Sequence, residues 1–139
     1  AGLGTGGTLM GVGRRLKEYN PRIRVVAAEP HPGEQVQGLR SLEEGFVPPI
    51  LDLNLLDSKI LVRAVDSFRL TRELLRREGI FAGISAGAAL YAALRYAERL
   101  SRGNIVVLFA DGGWKYLSSG VWTVPLEELG ETAEKVIWW

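Results

Sequence analysis

At 139 residues, 47% of them hydrophobic, the chain has the length of one ordinary domain and enough apolar side chain for a core. Its 17 basic and 16 acidic residues leave a formal charge of +1, which gives no electrostatic reason to expect nucleic acid or an acidic membrane as a partner. With no cysteine and a single histidine, His31, the composition excludes a disulfide framework, a thiol nucleophile and a Cys- or His-cluster metal site. No apolar run reaches the length of a bilayer span and a signal peptide is not expected, so the sequence reads as a soluble cytoplasmic enzyme or part of one.

The predicted elements alternate. Glycine-rich residues 2–8 lead into a helix predicted over 8–19, with Leu9, Met10, Val12 and Leu16 facing one way and Arg14, Arg15, Lys17 and Glu18 mostly the other. Asn20-Pro21 stops it. Residues 23–28 read as a short buried parallel strand ended by Glu29-Pro30. Residues 31–56, rich in Pro and Gly, read as irregular, with a short helix around 34–42. A second strand is expected over 59–65, then a helix capped by Asp66 and running to about 78, with Glu73 and Arg77 as an i,i+4 pair. Residues 85–100 form an alanine-rich helix, and 105–110 is the most strand-like segment in the chain. The pattern is α/β, a mostly parallel sheet with flanking helices, organised as one domain over 1–123 and a C-terminal tail with a helical stretch over 124–139.

In such folds ligands gather at the carboxyl ends of strands, and three loops qualify. Gly4-Thr5-Gly6-Gly7-Thr8 opens the first helix, where glycines let the backbone approach an anion and amides and hydroxyls converge on it. Gly2, Gly4 and Gly7 also satisfy G-x-G-x-x-G, and Glu29 follows at about the twenty-residue distance of a ribose-binding acid, so a dinucleotide site and a bare packing turn both remain open on this loop alone. In the second loop, Ser85 between Gly83 and Gly87 is either a helix N-cap or a hydroxyl pointing into a cleft. The third, Asp111-Gly112-Gly113-Trp114-Lys115-Tyr116, follows the last predicted strand, and its aspartate is either a turn former or a group facing the ligand.

Three motifs occur in order and in register: Gly4-Thr5-Gly6-Gly7-Thr8, Val25-Val26-Ala27-Ala28-Glu29-Pro30, and Glu78-Gly79-Ile80-Phe81-Ala82-Gly83-Ile84-Ser85-Ala86-Gly87-Ala88, followed by Tyr116-Leu117-Ser118. In this the sequence resembles the cysteine synthases, pyridoxal 5′-phosphate (PLP) enzymes of the tryptophan-synthase-β-like fold (fold-type II), over nearly the whole chain to about Thr123. The resemblance implies that Gly4, Thr5, Gly6, Gly7 and Thr8 hold the PLP phosphate and that Ser85 hydrogen-bonds the pyridine nitrogen. A neutral hydroxyl there leaves the pyridine largely unprotonated, a milder electron sink suited to β-replacement. Gly33-Glu34, Leu39-Arg40-Ser41 and Glu43-Glu44-Gly45-Phe46-Val47-Pro48 look like the O-phosphoserine branch, which implies that Arg40 meets the substrate phosphate; a guanidinium fork suits that dianion.

The departure from the family is the Schiff-base lysine, expected in an N-terminal half that this chain lacks. Lys17, Lys59, Lys115 and Lys135 are its only lysines and none sits in the family's motif. No catalytic residue is therefore expected in this chain, which by itself is expected to be inactive. The resemblance implies an amino-acid substrate (O-phosphoserine or O-acetylserine), a sulfur donor that is sulfide or the thiocarboxylate of a carrier protein, and a homodimer. Cystathionine β-synthase or a threonine dehydratase-like lyase is the alternative within the fold, and a dinucleotide-binding module the distant one. Val136-Ile137-Trp138-Trp139 is expected to pack, over the cofactor cleft or at a dimer interface.

Overall fold

A computed structural model describes residues 1–133, with side chains described to residue 129. Val-Ala-Ala in β1 (Val26–Pro30) is small and apolar, and four of the strand's five residues are buried. It pairs in parallel with β2 (Ser58–Val62), Val26 opposite Ser58 and Pro30 opposite Val62. On the other edge of β1, Gly2 bridges Ala28 in parallel, with Leu3 N donating to Ala28 O at 2.8 Å and Ala28 N to Ala1 O at 2.9 Å. The glycine-rich loop thus leaves a strand-like arm, and the arm, β1 and β2 lie side by side with their carboxyl ends together.

The first helix, α1 (Gly7–Tyr19), buries Leu9, Met10 and Gly13 and leaves Val12 and Leu16 46% and 40% exposed. The buried stripe is therefore rotated from the expected one. It centres on Gly13, where a side chain would press on Leu55 and Val25 at 3.1 and 3.3 Å, so the missing Cβ sets the line of closest approach.

The next two helices pack on each other and on the sheet. In α2 (Ala64–Glu78) the N-cap is Arg63 rather than Asp66. Asp66 lies in the first turn, where the helix dipole favours it, and pairs with Arg69 at 3.3 Å. Gly79, at φ 68°, closes α2 in the left-handed conformation. The alanine-rich α3 (Ile84–Ala97) buries Ile84 through Ala89 and Ala92. At Gly87 the helices nearly touch, and a Cβ would overlap the Ser67 carbonyl and the Thr71 side chain. The final helix, α4 (Leu126–Ala133), docks on α2, and the Arg72 guanidinium donates to the Val121 and Val124 carbonyls at its approach.

Two expected elements do not form. Residues 34–42 hold turns, with Leu39 N bonded to Val36 O, and a 3-10 turn comes only at Leu42–Glu44. Gly38 at φ 84° is left-handed and interrupts any helix through it. Residues 105–110 are apolar but belong to no ladder, and Val106 is 92% exposed. Strand propensity measures fit to a pleated, half-buried surface, and no described segment forms a ladder with this one. Val136-Ile137-Trp138-Trp139 lies outside the described residues. Among those described, no helix is long and apolar enough to cross a membrane and no His, Asp and Glu cluster is arranged to hold a metal.

Candidate functional site

A pocket opens at the carboxyl end of the arm. Gly4, Thr5, Gly6, Gly7 and Thr8 make one wall, Gly38 and Leu39 a second and Ser85 a third, with Leu108 and Ala110 along the side. Two glycines are demanded by geometry. Gly6 caps α1 at φ 87°, and a Cβ on Gly4 would stand 2.6 Å from the Gly38 carbonyl oxygen, so the two walls meet backbone to backbone. No side chain caps α1, and the first described bond from its start is Met10 N to Gly6 O at 2.9 Å. The amides of Gly7, Thr8 and Leu9 precede that bond, and Gly7 and Thr8 line the pocket, where the positive end of the helix dipole favours an anion.

Ser85 is brought to this same pocket from the far side. It is the second residue of α3, whose N-cap is Gly83, so it does not cap the helix. The start of α3 is tied down instead by α2: Ser67 Oγ donates to Ile84 O at 2.8 Å and Thr71 Oγ1 to the same oxygen at 3.2 Å. Ser85 itself is 8% exposed, and its hydroxyl bonds to none of the described residues. A nearly buried hydroxyl without a partner, opposite an uncapped helix start, forms a matched pair of polar ends for a ligand carrying an anion and a ring nitrogen. The residues present fit pyridoxal phosphate.

Arg40 is not part of the pocket wall. Its backbone N–H donates to Leu3 O at 2.8 Å beside the pocket, but the exposed guanidinium stands 5.7 Å over the Phe46 ring. Gly38 and Leu39, which do line the pocket, were not expected there from sequence; the only signal for them is the Leu39-Arg40-Ser41 motif, which Leu39 opens and Gly38 precedes.

Glu29 is sealed in the interior. Its Oε1 accepts from Leu42 N at 2.7 Å and from Ser41 Oγ at 3.4 Å. Lys59 Nζ lies 2.9 Å from Oε2, near enough for an ion pair though outside hydrogen-bond geometry. A carboxylate so enclosed cannot reach a ribose, which removes the acidic half of the dinucleotide reading.

Asp111 turns away from the pocket. It accepts from Tyr116 OH at 2.6 Å, and its backbone oxygen accepts from Gly83 N at 2.9 Å, tethering the third loop to the start of α3. Burial, followed by the hydrogen bond to and charge of Asp111, pushes the Tyr116 phenol well above its usual range. The lysines are engaged elsewhere: Lys17 with Asp57 at 2.7 Å, Lys59 with Glu29, and Lys115 3.8 Å from Asp111; Lys135 lies outside the described residues. Among the described residues no lysine lines the pocket.

Residues 1–111 match the family described as pyridoxal-phosphate dependent enzyme. A cysteine synthase of Aquifex aeolicus is 44% identical over 128 residues, covering 88% of this chain and 39% of that protein. Among solved structures, a cysteine synthase (OASS) from Entamoeba histolytica superposes with a TM-score of 0.81 at 27% identity, covering 98% of this chain and 44% of the other. An O-acetylserine dependent cystathionine β-synthase from Helicobacter pylori superposes with a TM-score of 0.77 at 34% identity, covering 87% and 42%. The chain spans about two-fifths of the length of the curated relatives it matches.

Proposed function

The chain belongs to the family of pyridoxal-phosphate dependent enzymes, and from that premise we propose that it forms the C-terminal part of a cysteine synthase, where it anchors the cofactor and receives the substrate's leaving group. The observation that carries this reading is the pairing, in one pocket, of an uncapped glycine-rich helix start with the partnerless Ser85 hydroxyl. Gly4, Thr5, Gly6, Gly7 and Thr8 hold the cofactor phosphate through backbone amides and threonine hydroxyls. Ser85 holds the ring nitrogen and, being neutral, donates to it without forcing a charge onto it. When bound, pyridoxal phosphate supplies the electron sink for β-replacement on a serine ester. No lysine among the described residues lines this pocket, so the lysine that holds the cofactor comes from outside those residues.

Arg40 selects the substrate. The 38–42 segment borders the pocket, and a guanidinium resting on the exposed Phe46 ring is held by a weak contact that a phosphate dianion outcompetes. The substrate is therefore O-phosphoserine, with sulfide or a carrier thiocarboxylate as the sulfur donor and cysteine as the product, made by a homodimer. The likeness to the Helicobacter protein supports one second reading, an amino-acid thiol such as homocysteine as the acceptor.

Visible absorbance of the cofactor-loaded full-length protein tests the proposal. Addition of O-phosphoserine is expected to change the cofactor spectrum at lower concentration than O-acetylserine does, and Arg40→Ala is expected to abolish that preference. Equal response of the variant and the parent to both esters sinks the role of Arg40, and failure of the protein to take up PLP sinks the whole reading.

A further inference from the structure

We infer that Glu29 is a positioning residue: it fixes the 38–42 loop that forms one wall of the pocket and, through that loop, holds Arg40 in place. The last step rests on the substrate role proposed above for Arg40; the staple itself does not.

Strand register puts the charge where it is needed. Glu29 stands opposite Leu61, and Lys59, two residues earlier, shares that face of the sheet and reaches the carboxylate diagonally. The carboxylate is wholly buried, a position an anion keeps only if it is paired and hydrogen-bonded. Lys59 answers one oxygen from the strand side. The other accepts from Leu42 N at 2.7 Å and from Ser41 Oγ at 3.4 Å, both on the loop. The loop is pinned once more two residues earlier, where Arg40 N donates to Leu3 O at 2.8 Å. The Arg40 backbone is therefore anchored directly to the arm, and the chain two residues on, at Leu42, is anchored to β1. With the backbone held at 40 and 42, the Arg40 side chain is what remains free to move, between Phe46 and an incoming anion. The same loop carries Gly38, whose carbonyl oxygen would stand 2.6 Å from a Cβ on Gly4, so the loop and the phosphate wall meet there.

The experiment uses the cofactor-loaded full-length protein with Glu29→Ala, Glu29→Gln and Arg40→Ala, and reads KM and kcat for O-phosphoserine, PLP affinity, and hydrogen exchange at the Leu42 amide. Glu29→Ala is expected to raise KM about tenfold with kcat changed by less than about twofold, the mark of a misplaced binding group. Leu42 exchange is expected to accelerate at least tenfold, and Glu29→Gln, which keeps an acceptor for Leu42, is expected to restore most of both losses. Wild-type Leu42 protection in Glu29→Ala overturns the inference. So does a loss of PLP affinity as large as the loss of substrate affinity, because that reports general unfolding. If Glu29→Ala does not fold, Ser41→Ala removes one of the two loop contacts and is read by the same criteria, with a smaller shift expected in the same direction and unchanged exchange and KM overturning the inference. Should Arg40→Ala leave KM unchanged while Glu29→Ala still frees the Leu42 amide, the substrate role of Arg40 falls and the staple stands.

Discussion

The Ser85 hydroxyl makes no bond within the described chain, so its removal costs the fold little and a ligand much. Ser85→Ala is expected to leave the thermal midpoint of the unliganded protein within about 2 °C, because no buried partner is orphaned. Weakening of PLP binding by about tenfold is expected in the same variant, one hydrogen bond's worth, read by cofactor titration. Gly6 behaves in the opposite way. At φ 87°, with Leu51 Cδ1 only 3.2 Å from where a Cβ would stand, Gly6→Ala carries left-handed strain of about 1–2 kcal/mol before any ligand is added, visible as a lower urea midpoint. Glu29 shows what one sequence cannot convey at this scale. An acid at the end of β1 has the same spacing whether it faces a ribose or a loop amide 13 residues away, and only the closed loop reveals which. Ser85 was ambiguous for a related reason, since a serine near a helix start reads alike at the N-cap and two positions later.

Among the elements, the clamp between α2 and α3 is what aims Ser85. Ser67 and Thr71 both donate to the Ile84 carbonyl, and Gly87 permits that approach. Gly87→Ala is expected to force the helices apart at a cost of about 3 kcal/mol, and PLP affinity should fall with it, because the residue that moves is two positions from Ser85. Denaturant melts and cofactor titration on the same preparation check the coupling. Arg72 does the corresponding work for α4, its guanidinium bonded to two loop carbonyls. Arg72→Met should leave the pocket intact and speed proteolysis between residues 120 and 126, followed by limited digestion. The helices α1, α2 and α3 were legible because their periodicity and end signals are local. The helix expected over 34–42 and the strand over 105–110 were not: one depends on the sign of φ at Gly38, the other on a neighbour to pair with, and neither is written in local composition. The rotated face of α1 is a similar case, fixed by what a glycine lets come near.

At the scale of the whole molecule, the end of the sheet opposite the pocket carries its own electrostatic latch. Partial burial pushes the Asp57 carboxyl up, but Lys17 at 2.7 Å, the Val25 amide at 2.7 Å and Arg24 at 2.9 Å outweigh it and hold the pKa down to about 2 from 3.8. A depressed carboxylate stabilises the fold above its unfolded pKa, and that contribution disappears as pH falls from about 4 through 2. Asp57→Asn is thus expected to lower stability at pH 7 and to flatten its acid dependence over that interval, measured by urea midpoints from pH 2 to 6.

The walls of the pocket come from the arm and loop of residues 1–8, from 38 and 39, from 85, and from 108 and 110, four stretches far apart along the chain. No one of them assembled alone offers an anion and a ring nitrogen their two ends, so the unfolded chain has nothing with which to grip such a molecule. Any occupant therefore acts as a counterweight on the folding equilibrium itself: at a hundred times its dissociation constant it adds about 2.7 kcal/mol to stability, and the melting temperature becomes a gauge of cofactor concentration.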